Sequence, residues 1–107
     1  FLESDLGRRL RAADQVEREL EFTMLDQTDF GERIMVQGML DAAFREEQGW
    51  VLLDYKTGGR GKSDDQLREL YGPQLKLYSQ ALRRLLGGPV AESWLVMLDL
   101  ARFIALA

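Results

Sequence analysis

Three features of the sequence predict an α+β fold around one central sheet. Two segments of strand character are joined by a short polar turn, the second of them is almost wholly apolar, and one long amphipathic helix separates that pair from the last strands. In order, Leu2, Leu6 and Leu10 recur four apart, opposite Arg8, Arg9 and Arg11. This predicts a short helix over residues 6–13 with the arginines on its solvated face. Val16, Leu20, Phe22, Met24 and Leu25 alternate loosely with charges, a strand over 16–25, and a polar turn covers 26–31. A second strand runs from Arg33 to Phe44, with Ile34, Val36, Leu40, Ala42 and Phe44 on one face and Arg33, Gln37, Asp41 and Arg45 on the other.

Glu46 to Gly49 supply turn chemistry, and Trp50 to Tyr55 is apolar except for Asp54, as expected of a central strand covered on both faces. The two strands form a hairpin. Residues 57–65, with three glycines and no periodicity, read as a mobile loop. Ser63 with Gln66 three residues later is a capping box, and Leu67, Tyr71, Gln74, Tyr78, Ala81, Leu82 and Leu85 fall on one stripe of a helix ending near Leu86. Pro73 is expected to kink or restart it, and Gly87, Gly88 and Pro89 stop it. Val90 to Leu100 and Arg102 to Leu106 hold the last strand or strands. The order is α-β-β-β-α-β with room for one more strand, a mixed central sheet flanked by helices.

At 107 residues the chain fits one domain, spanning 1–107. It opens on Phe1 rather than methionine, which suggests a piece cut from a larger protein. With no cysteine and no histidine, disulfides, zinc–thiolate sites, iron–sulfur clusters, imidazole ligands and serine–histidine triads are excluded within it. Chemistry must run on carboxylates, lysine, hydroxyls or backbone. Fourteen Lys and Arg against eighteen Asp and Glu give a net charge of −4, the wrong sign for a module that grips phosphates by bulk charge alone. No apolar run nears the roughly 18 residues of a membrane span, and no signal-peptide pattern opens the chain. A cytoplasmic location without a membrane partner is the expectation.

The hairpin carries the first anomaly. With a turn over 46–49, Arg45 pairs with Trp50, and counting back sets Asp41 opposite Asp54; a tighter turn would set it opposite Lys56, with Asp54 a diagonal neighbour on the same face. Like charges about 5 Å apart destabilise a sheet, more so on a covered strand, unless something positive compensates. Lys56 lies two residues beyond Asp54, on its face, and a hard divalent cation held by oxygen ligands is the other compensator. Asp41, Asp54 and Lys56 thus read as a small metal site with a built-in ammonium, or as a surface ion cluster. Gln74 and Tyr78, four apart on the stripe of the long helix, are the second anomaly, since glutamine there wants a partner. Glu19 is one of three acids between Glu17 and Glu21, and strand parity does not say which faces inward.

Gly38-Met39-Leu40-Asp41, Asp54-Tyr55-Lys56-Thr57 and Tyr71-x-x-Gln74-Leu75-x-x-Tyr78, in that order, resemble the PD-(D/E)XK nuclease superfamily in its RecB-like branch. Within that branch the likeness is greatest to the C-terminal nuclease domains of AddA-type helicase–nucleases. It covers nearly the whole chain, and the segment from Arg18 to Thr23 makes Glu19 the best match for the acid of the first strand. The resemblance implies a restriction-endonuclease-like core and a magnesium-dependent DNA exonuclease, manganese being an alternative ion. Asp41, Asp54 and the carbonyl of Tyr55 would bind metal, Lys56 and Glu19 would join them in catalysis, and Gln74 and Tyr78 would support the site or the DNA. It also implies a strand of DNA delivered by a helicase domain of the same parent chain, a second nuclease or helicase subunit, and a role in double-strand break repair and recombination. Many relatives carry a metal-binding histidine on an earlier helix, and some carry an iron–sulfur cluster. Neither set of ligands is present, so the histidine lies upstream of Phe1 or is lost in this copy. The competing expectation is a non-catalytic domain of this fold, or an unrelated α+β interaction module, with a structural Asp/Lys cluster.

Overall fold

Helix α1 (Asp5–Ala12) begins where the Ser4 hydroxyl accepts the Gly7 N–H at 3.1 Å in the computed structural model, which describes residues 4–27, 29–100 and 102–106. Leu6 and Leu10 are buried as their spacing requires, while Leu2 lies outside the described residues. Strands β1 (Val16–Gln27), β2 (Arg33–Glu46) and β3 (Gly49–Lys56) follow, then α2 (Asp64–Leu86), β4 (Val90–Met97) and β5 (Arg102–Ala105). The five strands stand side by side in chain order, β3 and β4 parallel because α2 carries the chain back between them, and the other neighbours antiparallel. This is the expected mixed sheet with its additional strand.

The sheet separates two cores. On one side α2 packs Leu67, Leu75, Ala81 and Leu82 over Trp50 and Leu52 of β3 and Leu95 and Met97 of β4. On the other, Leu6 and Leu10 of α1 meet Phe44, Val51, Leu53 and Val96. Strand β3, buried from Gly49 to Asp54, serves both, which is why its sequence does not alternate.

The single apolar face expected of β2 is in fact two. Val36 and Leu40 pack toward α2, but Ala42 and Phe44 pack toward α1 and Ala43 takes over the α2 side. β1 changes in step: Leu20, Phe22 and Met24 face α2, whereas Val16 faces α1. Both reversals fall on one rung. Glu19 stands opposite Asp41 in the register, between the pairs Arg18↔Ala42 and Leu20↔Leu40, and its φ of 50° is left-handed, the only such non-glycine among the described residues. A left-handed residue in a strand shifts the pleat by half a period, as a bulge does. Periodicity alone does not reveal it, because apolar residues continue at the same spacing on both sides of the switch.

Several local expectations change for long-range reasons. Helix α2 runs unbroken through Pro73, which lies on its exposed side. Leu75 is buried and Leu85 is 47% exposed, the reverse of the predicted stripe, because Leu86 packs instead. Arg9 is not simply solvated: it binds Glu46 and Glu92, each through a 2.6 Å contact, and lies over the Phe44 ring. The loop after β3 is tied by Gly58 N–H to Asp99 and by Arg102 to the Lys62 carbonyl, with Gly59 buried against Met97.

Candidate active site

Asp54 enters the α2 side of the sheet by parity, two residues beyond Leu52, and only 2% of its surface is exposed. The hairpin turn is the two-residue loop Glu47–Gln48, Arg45 pairs with Trp50, and the last bonded pair is Ala42↔Leu53. The next rung is Asp41 opposite Asp54, where the ladder opens. Asp41 uses its carboxylate as backbone does, accepting the Tyr55 N–H at 2.9 Å. Its charge is thereby held against Asp54.

Burial pushes the Asp54 carboxyl up to about 7, the hydrogen bond with Asp41 adds to the rise, and the Lys56 ammonium opposes it. Lys56 Nζ lies 3.4 Å from Asp54 Oδ2, yet that oxygen, buried, accepts no hydrogen bond among the described residues. Lys56 in turn sits over the Tyr71 ring, 5.2 Å from its centroid, a cation–π contact that fixes the ammonium between helix and sheet.

Gln74 donates to the Tyr78 hydroxyl at 3.0 Å, supplying the partner that a glutamine on this stripe requires. Tyr78 packs edge-on against Phe22 with centroids 5.5 Å apart, and its hydroxyl is pushed above the ordinary phenol range by burial and by the Asp54 charge. The Gln74–Tyr78 pair therefore adjoins the carboxylates. Gly38 makes room for it: a Cβ there would stand 2.8 Å from the Phe22 ring and 3.3 Å from Tyr78. Gly38→Ala is expected to cost about 1–3 kcal/mol by overpacking, read as a lowered melting temperature; an unchanged melt would show that the ring yields freely. The roles of Tyr71 and Gly38 escaped a reading that weighed charge and polarity, because neither is polar where it acts.

The structure brings together Asp41, Asp54, Lys56, Gln74 and Tyr78. It does not add Glu19, whose side chain is exposed on the rung beside Asp41; no group of three or more acids fit to hold a metal forms among the described residues. Tyr55 presents its N–H to Asp41 and sends its ring to the α1 side. The donor set fits a divalent cation all the same: two carboxylates in contact, one with an orphaned buried oxygen, are the hard ligands such an ion needs.

Gln74→Leu is expected to leave the fold intact while taking the hydrogen-bond partner from the Tyr78 hydroxyl, and a raised melting temperature with activity untouched would make Gln74 a core-edge residue. If its only role were packing, activity would be untouched; a loss of cleavage assigns the amide to the site.

A mixed sheet crossed by one helix, with an Asp-x-Lys at the end of the central strand and a second Asp across the rung, defines a nuclease class. The chain belongs to the PD-(D/E)XK nuclease superfamily, whose model matches residues 2–103. Members of this superfamily generally use divalent metal ions. Among its relatives, an ATP-dependent helicase/nuclease of Heliobacterium modesticaldum is 39% identical over 120 residues, covering 99% of this chain and 9% of the relative. The corresponding ATP-dependent helicase/nuclease from Bacillus cereus strain AH187 is 40% identical and that from Geobacillus kaustophilus 37%, each over 92% of this chain and 9% of the relative. The chain thus spans about a tenth of the length of the relatives it matches. The crystal structure of SSO0001 superposes with a TM-score of 0.55 at 18% identity, over 94% of this chain and 44% of that one, and shares the fold. The family match excludes the unrelated interaction module. No helix among the described residues is long and apolar enough to cross a membrane.

Proposed function

We propose that this chain is the nuclease domain, residues 1–107, of a longer helicase–nuclease, and that it hydrolyses phosphodiester bonds of DNA with magnesium, manganese substituting. The observation that carries this reading is the buried, unbonded Oδ2 of Asp54 beside Asp41, with the Lys56 ammonium at 3.4 Å. Asp41 and Asp54, with the Tyr55 carbonyl, would hold the ion, which when bound would supply Lewis-acid chemistry to the scissile phosphate and to a water. Lys56, fixed over Tyr71, orients the attacking water and stabilises the charge that develops on the phosphate. Gln74 and Tyr78 brace the far wall of the site, and Glu19, exposed on the rung opposite Asp41, would join the set only by turning inward. A helicase part of the same protein feeds the strand, which suits a net charge of −4. A second nuclease or helicase subunit, exonucleolytic action in break repair and recombination, and a cytoplasmic location complete the proposal.

The lack of a third acid among the described residues favours a second reading, a non-catalytic member in which Asp41, Asp54 and Lys56 are a structural cluster. Thermal melting across a magnesium and a manganese series separates the two. The nuclease reading expects a rise that grows as RT ln(1 + [L]/Kd), about 2.7 kcal/mol at one hundred times Kd, and that Asp54→Asn abolishes. Equal melts in chelator and in excess metal would leave the structural cluster standing.

A further inference from the structure

Helix α2 carries a feature that the proposed chemistry does not use. Beside the stripe of Tyr71, Gln74 and Tyr78, positions 68, 76, 79 and 83 wall a groove of about 630 Å³ against β4 and the end of β5. Lys76 and Arg83 line it with Ser79 and Ser93, whose hydroxyls meet at 3.1 Å, and with Arg68, which is paired to Asp65 at 2.9 Å and donates to the Ala105 carbonyl, over an apolar floor of Leu75, Val90 and Leu106. No acid lines it, and the sequence holds none between Glu69 and Glu92, although the chain as a whole is acidic. A position near the helix C-terminus suits Arg83 on dipole grounds, but Lys76 is mid-helix and gains nothing from that.

We propose that this groove seats the phosphodiester backbone of a single DNA strand, across α2 from the carboxylates. Cations of one sign with adjacent hydroxyls are the donors that phosphate oxygens take, whereas a polypeptide partner would more often meet mixed charge. The groove lies on the β4 flank of α2, whereas Tyr78 meets β1 and β2 on the other flank, so one helix separates it from the carboxylates. This inference rests on the nuclease reading, and its test is made without metal so that the two fail separately.

The probe is a fluorescent oligothymidylate bound to the full chain in chelator, followed by anisotropy across a salt series. The paired variant Lys76→Gln/Arg83→Gln should bind about tenfold more weakly at low salt. Its slope of log affinity against log salt should be shallower by about 1.4, at roughly 0.7 per lost phosphate contact. Arg11→Gln/Arg33→Gln, at exposed positions on other elements, should leave that slope unchanged. Asp54→Asn should abolish cleavage in magnesium without lowering affinity in chelator. If the wild type binds but never cleaves, the nuclease reading fails and the groove stands. A wild type that binds no oligonucleotide at low salt overturns the groove. So do groove variants with unchanged slope and affinity, which would leave it as a seat for polypeptide.

Discussion

Asp54→Ala and Lys56→Ala, each placed in the longer helicase–nuclease, are expected to lower DNA cleavage by at least about a thousandfold, roughly 4 kcal/mol of barrier, while ATP-driven unwinding continues. Asp54 holds the deepest carboxylate of the site and the only buried side-chain oxygen without a hydrogen bond among the described residues, so no neighbour can replace it. Lys56 carries the only ammonium in contact with it among the described residues, and Tyr71 fixes its place. The measurement is strand cleavage of end-labelled duplex beside unwinding of the same substrate. Cleavage retained within about tenfold by either variant would sink the assignment of that residue.

The second large effect is on stability and its pH dependence. In the fold the Asp54 carboxyl rises from 3.8 to about 7, which means that folding favours the protonated form. Its contribution is complete below about 4, is lost as pH climbs through about 7, and above that the buried charge opposes folding. In chelator the melting temperature of the parent should therefore fall across that window. Asp41→Asn keeps an oxygen for the Tyr55 N–H but removes the negative partner that helps to hold Asp54 up. The variant should melt higher than the parent at pH 8, by about 0.5–2 kcal/mol, with the gap closing toward pH 4. With excess magnesium the order should narrow or reverse, since the variant is one ligand short. Asp41→Asn destabilising the chain equally in chelator and in metal would make Asp41 a structural hydrogen-bonding residue.

Much of this was legible in the sequence where the determining contacts are local. The turn over 46–49 limited the hairpin to two registers, both with Asp41 and Asp54 on one face, and the structure takes the one that pairs Arg45 with Trp50. Ser63 and Gln66 form the capping box in full, each bonding the other's backbone N–H. What escaped depends on residues far apart in the chain. Arg9 finds Glu92 across 83 positions, and Gly58 finds Asp99 across 41. The reversal of faces at Glu19 and Asp41 escaped for another reason: it is a backbone event, and the side chains on either side of it keep the same spacing. Gln74 could be flagged as an anomaly, but its bond to Tyr78 and the neighbouring Gly38 space needed the packed helix.

That shared rung sets how the hairpin can change length. A one-residue deletion in β2 between Gly38 and Asp41 would undo the half-period shift on that strand alone, turning either Leu40 or Ala42 and Phe44 away from their cores while β1 stayed in place. Only matched deletions in both strands, or a compensating insertion within a few residues, would restore the facing of all three. Length variants of these two strands should therefore survive in pairs, and a library that deletes one residue at a time should find this stretch closed, whereas the turn over 29–32 accepts insertions.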